Sequence, residues 1–354
     1  MRISIVVLSY GAPDLALECL ESIEKTDQRS IIELILVDNG STPRQKSDLQ
    51  ERLRAKGIRA DHFVDLPENV GFSRGMNAGI ALATGDLVLA LNSDTLVGRQ
   101  LPTLLSGYPL KDEDRIAFLA VSIYDAERSA CGTTKTRRLQ ADVCGLTWYM
   151  SVMPVRVADI QARYILGPSG AAVVMTRRFI QQMIAKYGFV YDPAFFFYGE
   201  DVDLFLRAKR AGYQTRFVEG SIDRDEGIWH VGSATASNAG VRTLDKPPEI
   251  AAHVLNGCVR NSLRHASVLE FVPALISQVC FHCVFWSLYT RKHSISSTIR
   301  LVLKGRIAYS RLNQRRPSGL FLTSLVSVLY RKPSLWARTT PAAPNRTRVS
   351  AVST

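Results

Sequence analysis

The feature that most limits how this 354-residue chain can fold is an alternation near its N-terminus, in which short, mostly apolar runs are separated by stretches of helical spacing. Residues 3–8 form an aliphatic run interrupted only by Ser4, the pattern of a strand covered on both faces. Pro13 opens a stretch in which Leu15, Leu20 and Ile23 recur at roughly helical spacing, and residues 31–37 form the next apolar run. A helix over 43–56, a strand near 63–66, a helix over 73–83 and a strand over 87–91 continue the series. A βαβαβαβ order predicts an α/β fold with a mostly parallel sheet flanked by helices, and such sheets bind ligands beyond the carboxyl ends of their strands.

The polar segments that follow the strands are therefore where chemistry is expected. They are Ser9-Tyr10-Gly11, Asp38-Asn39-Gly40-Ser41-Thr42, Asn69-Val70-Gly71-Phe72 and Asn92-Ser93-Asp94-Thr95, and the topology brings all four to one edge. Residues 124–165 are less regular and read as a variable insertion over that edge. Order returns with a strand over 170–175 and a helix over 177–186. The run Phe195-Phe196-Phe197-Tyr198-Gly199-Glu200-Asp201 then opens a helix through Ala211, followed by a strand near 215–219 and by Trp229-His230.

Asp94 ends a tripeptide, Asn92-Ser93-Asp94, in which a carboxylate can hold a divalent cation against phosphate oxygens. A plain turn with a helix cap explains the same residues equally well. In Asn69-x-Gly71-x-x-x-Gly75-x-Asn77-x-Gly79 the glycines let a backbone approach a nucleotide and Arg74 can face a phosphate, but close helix packing accounts for Gly75 and Gly79 as readily. Glu200, Asp201 and Asp203 share the first turn of a helix, where free amides favour a carboxylate. For Asp203 capping is the expected role. For Asp201 the aromatic run before it predicts a water-poor wall that raises the carboxyl pKa towards that of a useful base. His230 is a candidate neutral metal ligand, although an isolated histidine is more often structural.

Charge divides the chain. After Ile250 there are 15 Lys and Arg against one acid, Glu270, while the first 250 residues hold 29 basic and 31 acidic groups. Residues 268–289 are mostly apolar but hold Glu270, Pro273, Gln278 and His282, which favours a helix lying on a membrane over one crossing it. Residues 320–330 are too short to cross. The expected division is a catalytic domain over 1–240, a helical basic and apolar extension over 241–336, and a disordered tail over 337–354. The six cysteines lack a framework of short spacings and no leader-like segment precedes the first strand, so a reducing cytosol is expected. Cys280 and Cys283 read as small hydrophobes on a helix rather than a metal or redox pair.

The stretches IVVLSYG, LILVDNGST, ENVGFSRGMNAGI, GDLVLALNSDT, GPSGAAVVM, FFFYGEDVDLFLRAKRAGY and WHVGS, in that order over about residues 3–235, resemble the family 2 glycosyltransferases, and among them the bacterial rhamnosyltransferase-like branch. Arg260-Asn261 and the basic region after it also look like the tails of that branch. The resemblance implies a GT-A fold and inverting transfer of a sugar, L-rhamnose by branch likeness, from a dTDP- or UDP-linked donor to a glycan or lipid-linked acceptor. It implies that Asp38 reads the N3–H of a uracil or thymine with the Ser9-Tyr10 edge, and that Asn69, Gly71, Arg74, Asn77 and Ser93 line the nucleotide. Asp94 and His230, with Asn92, would hold Mg²⁺ or Mn²⁺, and Asp201 would be the base. Tyr198, Glu200 and Trp229 would face the acceptor. The family's metal motif often has Asp where this chain has Asn92, a weaker, uncharged ligand. The basic extension would hold the enzyme at the cytoplasmic face of an anionic membrane.

Two other classes compete. A sugar-phosphate nucleotidyltransferase also binds nucleotides at strand ends, but would carry a basic, glycine-rich loop where this chain has Tyr10-Gly11-Ala12-Pro13-Asp14. A nucleic-acid binder would suit the sequence pI of about 9.6, but here the excess charge is interleaved with aliphatic runs, which suits lipid headgroups better.

Overall fold

The computed structural model describes residues 1–111, 114–146 and 152–232, together with 253, 257, 258, 260–262, 264, 265 and 276. The alternation opens with β1 (Ile3–Ser9), α1 (Pro13–Glu24), β2 (Ile32–Asn39), α2 (Pro43–Ala55), β3 (His62–Leu66), α3 (Phe72–Ile80) and β4 (Leu87–Asn92). It continues with β5 (Thr95–Val97), α4 (Leu101–Ser106), β6 (Ile116–Ala120), β7 (Ile123–Ser129), β8 (Gly132–Ala141), β9 (Val143–Leu146) and β10 (Val152–Val155). The last elements are β11 (Ala172–Thr176), α5 (Arg177–Tyr187), α6 (Glu200–Arg210), β12 (Gln214–Phe217) and β13 (Ile228–His230).

Among the described residues the main sheet has seven strands in the order β12-β6-β11-β4-β1-β2-β3. All its pairings are parallel except those of β11, which runs antiparallel to both β4 and β6. Central β1 shows why its sequence carries no polar alternation. Ile3, Ile5 and Val7 pack into a core with α1, α2 and α4, while Val6 points into the opposite core with α3, α5 and α6.

Local signals set the helix starts. Pro13 begins α1, and α2 carries a capping box in which Thr42 and Gln45 exchange side-chain and backbone hydrogen bonds. Thr176 caps α5, and Gly188 ends it in a left-handed conformation.

Residues 124–165 are more regular than their composition predicts. β7 and β8 form an antiparallel hairpin within a second sheet of order β5-β13-β7-β8, and β9 pairs with β10. The sequence Thr133-Thr134-Lys135-Thr136-Arg137-Arg138 in β8 hides this, because much of that strand is exposed and its pairing is carried by backbone groups. The expected boundary at 240/241, the 320–330 run, the tail over 337–354 and the Cys280–Cys283 pair lie outside the described residues, as does the 268–289 run except for Ile276. Among the described residues no helix is long and apolar enough to cross a membrane.

Candidate active site

Buried Ser9 and exposed Tyr10 end β1, and buried Asp38 lies beside them on β2. The Asp38 carboxylate accepts the Ser41 amide at 2.8 Å through Oδ1, with Lys46 Nζ 3.7 Å from the same oxygen. Its Oδ2 has no partner among the described residues, which leaves an acceptor for a ring N–H. Lys46, which also pairs with Asp65, carries no motif signal and was not foreseen.

The third strand-end loop is held from within. Asn69 Oδ1 accepts from Asn39 Nδ2 at 3.1 Å and from the Gly71 amide at 2.9 Å, so this side chain shapes the loop. Gly71 has φ +85°, and a Cβ there would stand 2.6 Å from the Phe196 carbonyl oxygen, which accepts the Phe72 amide at 2.7 Å. Further along α3, Asn77 uses both ends of its amide on the Tyr191 backbone, and exposed Arg74 is left facing solvent. A Cβ on Gly75 or Gly79 would stand 2.7 Å from Leu8 or 2.3 Å from Val6. Helix packing therefore accounts for Gly75 and Gly79.

Asp94 and His230 come together because β5 and β13 pair antiparallel, with His230 opposite Thr95 and the Val231 amide donating to the Asp94 carbonyl at 3.0 Å. His230 Nε2 lies 3.4 Å from Asp94 Oδ1. Two ligands of one octahedral cation stand about 3 Å apart when each is about 2.1 Å from the ion, so the spacing fits a shared divalent metal. His230 Nδ1 is 3.1 Å from Gln140 Oε1, a partner that orients the imidazole and that the sequence did not reveal. Ser93 is buried between Asp94 and half-buried Asn92. Among the described residues no group of three His, Cys, Asp or Glu forms a closed cage, so a cation here would draw further ligands from phosphate oxygens and water.

Asp201 is linked through a single backbone segment to Asn92, two residues before Asp94. The Asn92 amide donates to the Ala171 carbonyl at 3.0 Å, and a Cβ on adjacent Gly170 would stand 2.5 Å from Asp201 Oδ2. Gly170 is thus a second unforeseen residue, marked only by its place in the Gly-Pro-Ser-Gly run. Burial raises the Asp201 pKa above the ordinary aspartate value. Glu200, buried with Oε2 lacking a partner among the described residues, is raised too, first by burial and then by the Asp201 charge. The Cys144 and Cys258 thiols are pushed up to about 12, mainly by burial and in part by Asp201, so both stay protonated.

Three expectations need correction. Of the aromatic run, Phe195 is buried, Phe196 is 42% exposed, and Phe197 and Tyr198 are half-buried. The run is therefore not a continuous dry wall. Trp229 is buried, stacked on Tyr124 at 5.5 Å, with its indole N–H donating to the Thr136 carbonyl at 2.8 Å, so it presents no surface to an acceptor. Asp203 is not a cap but the hub of a buried ion network. It accepts from Arg207 at 2.7 Å and from Arg264 and His265 at 2.8 Å each, and Arg264 also pairs with Asp192. Burial opposes ionisation of Asp203, but these partners outweigh it and hold the carboxyl well below the usual range. Arg264, counted by sequence with the surface-binding tail, is thereby sequestered inside the fold.

Comparisons with known proteins agree with this architecture. The family described as Glycosyl transferase family 2 matches residues 4–150. A protein of Azorhizobium caulinodans named N-acetylglucosaminyltransferase is 24% identical over 227 residues, covering 63% of this chain and 54% of that protein. One of the same name from Bradyrhizobium sp. is 31% identical over 104 residues, covering 29% of this chain and 67% of that protein. The chain spans about half the length of the first curated relatives it matches. The crystal structure of GalNAc-T7 with UDP, GalNAc and Mn2+ superposes with a TM-score of 0.58 at 13% identity, covering 89% of this chain and 59% of that one. That likeness shows a shared GT-A fold.

Proposed function

We propose that this chain, which belongs to glycosyl transferase family 2, moves a sugar from a nucleotide diphosphate donor onto an acceptor hydroxyl with inversion at the anomeric carbon. The observation that carries the reading is the Asp94–His230 pair in the loop that Asn92 opens, with the desolvated carboxylate of Asp201 joined to Asn92 through Gly170 and Ala171. Asp38 would accept a hydrogen bond from the nucleotide base. Asp201 would take the acceptor hydroxyl's proton as the acceptor oxygen bonds to the anomeric carbon, and the bond from that carbon to the diphosphate would break with its electron pair leaving on the phosphate oxygen. Asp94 and His230, with Asn92 beside them, would hold a divalent cation, which when bound supplies positive charge against the departing diphosphate.

The relatives' names favour N-acetylglucosamine over L-rhamnose as the sugar, and the Mn2+ bound by the structural neighbour favours a metal-dependent transfer. The acceptor would be a glycan or lipid-linked glycan of a surface polysaccharide. The basic residues after Arg264 would keep the enzyme on an anionic membrane surface, at the cytoplasmic face where nucleotide sugars are made. The loop after β1, Tyr10-Gly11-Ala12-Pro13-Asp14, has no basic residue to hold a triphosphate, which speaks against a nucleotidyltransferase.

Incubating the full chain with UDP-N-acetylglucosamine, UDP-N-acetylgalactosamine and dTDP-rhamnose, with and without Mn²⁺, and following nucleoside diphosphate release tests the reading. Metal-stimulated UDP release from UDP-N-acetylglucosamine is expected. Silence with every donor, together with pyrophosphate release from a nucleoside triphosphate and a sugar phosphate, would establish a nucleotidyltransferase instead.

A further inference from the structure

The two residues before α6 hold an unusual backbone. Tyr198 and Gly199 are both left-handed, with φ 68° and 88°. Glycine adopts this without strain, but a bulky residue such as tyrosine keeps it only where the surroundings impose it. The surroundings come from nearly sixty residues later in the chain. Gly257 lies so close that a Cβ on it would stand 2.3 Å from the Tyr198 carbonyl oxygen and 3.2 Å from Gly199 Cα. Buried Asn261 donates from Nδ2 to the Gly199 carbonyl at 2.8 Å, the same oxygen that accepts the Asp203 amide in the first bond of α6. Flanking contacts hold this stretch in place. His253 stacks on Phe196 at 4.9 Å, while Arg264 and His265 lock onto Asp192 and Asp203.

We propose that Gly257, Cys258, Arg260 and Asn261 form a strap in which Gly257 and Asn261 are positioning residues for transfer. They impose the left-handed turn at Tyr198-Gly199 and so aim the Asp201 carboxylate, which sits two residues beyond the strapped carbonyl. The proposal rests on the reading of Asp201 as the base. It gives the segment after Ile250 a role inside the active site that is separate from any contact with a membrane.

Gly257→Ala and Asn261→Asp, each in the full chain, test it. The first adds one methyl where there is no room, and the second keeps size while removing the amide donor. Each should lower kcat for sugar transfer about tenfold to hundredfold, the scale of a misplaced catalytic group, while calorimetric affinity for the nucleoside diphosphate with Mn²⁺ stays at the wild-type value. Ser106→Ala, at the end of α4 and bonded there to the Thr103 carbonyl, should leave kcat unchanged. If Gly257→Ala fails to fold, Asn261→Asp decides the matter. Wild-type kcat in the strap variants beside an inactive Asp201→Asn would overturn the strap, as would kcat and donor affinity falling together. Wild-type transfer by Asp201→Asn would instead remove the base on which the strap is argued to act.

Discussion

The Asp94 end of the site and the Asp201 end are built in different ways. Asp94 lies beyond a central strand, and its partner His230 reaches it through a strand pairing whose backbone bonds bring the two side chains to 3.4 Å. Asp201 lies on the first turn of α6, and the turn before it is left-handed and braced by Gly257 and Asn261. Asp203, on the opposite side of the same helix, is pinned by Arg207, Arg264 and His265. The sheet thus sets the first carboxylate, while the second depends on a remote segment. A metal and diphosphate end of this kind should tolerate changes in the C-terminal region, and the base end should not.

The largest effect should come from Asp201→Asn, which removes the proposed proton acceptor while preserving shape. Transfer should fall by about 10²–10⁴-fold, the usual worth of a general base, with donor affinity retained. Wild-type turnover in a single-turnover assay would break the comparison at its centre.

Arg264→Leu comes next. Removing Arg264 takes from buried Asp192 the cation it pairs with and from Asp203 one of three donors, which costs about 3–5 kcal/mol, so the urea midpoint should drop sharply. An unchanged midpoint would mean that the segment after Ile250 does not brace the fold. Acid should loosen the same anchor. Burial, outweighing the attraction of Asp203, lowers the His265 pKa from 6.5 to about 4, so the neutral ring is the form the fold retains. Its contribution is complete above about 6.5 and is lost as the pH falls towards 4, which pH-dependent unfolding will register as a loss of stability.

The smallest effect on transfer is expected for Glu200→Gln. Burial and then the Asp201 charge raise the Glu200 pKa from 4.5 to about 8, so at neutral pH the residue is already protonated and Gln resembles it. Transfer should remain close to wild type. Because the folded-state pKa is raised, the wild-type protein loses stability as pH climbs from 4.5 through about 8, and the Gln variant does not. The variant's melting-temperature advantage should therefore grow with pH. A large loss of turnover would give Glu200 a direct part in the reaction.

Much of this protein was legible without coordinates. The apolar runs over residues 3–8, 31–37 and 87–91 can be satisfied only by burial on both faces, and their alternation with helical spacing leaves few topologies besides a mostly parallel sheet. That placed Asp38, Asp94 and the 69–71 loop at one edge, since strand ends are fixed once strand order is. What tertiary structure decided were contacts with no period to betray them. The role of Trp229 turned on a β7–β8 hairpin whose exposed, polar strand gives little apolar signal. The choice of packing over nucleotide contact for Gly75 and Gly79 needed the distances to Leu8 and Val6. Asp203 and Arg264, two charges that composition assigns to a helix start and a basic tail, found each other across 61 residues in the interior. Local sequence determines which segments must be buried, because burial follows hydrophobic pattern. Which buried charges meet is set by where the chain returns, and that is a property of the folded whole.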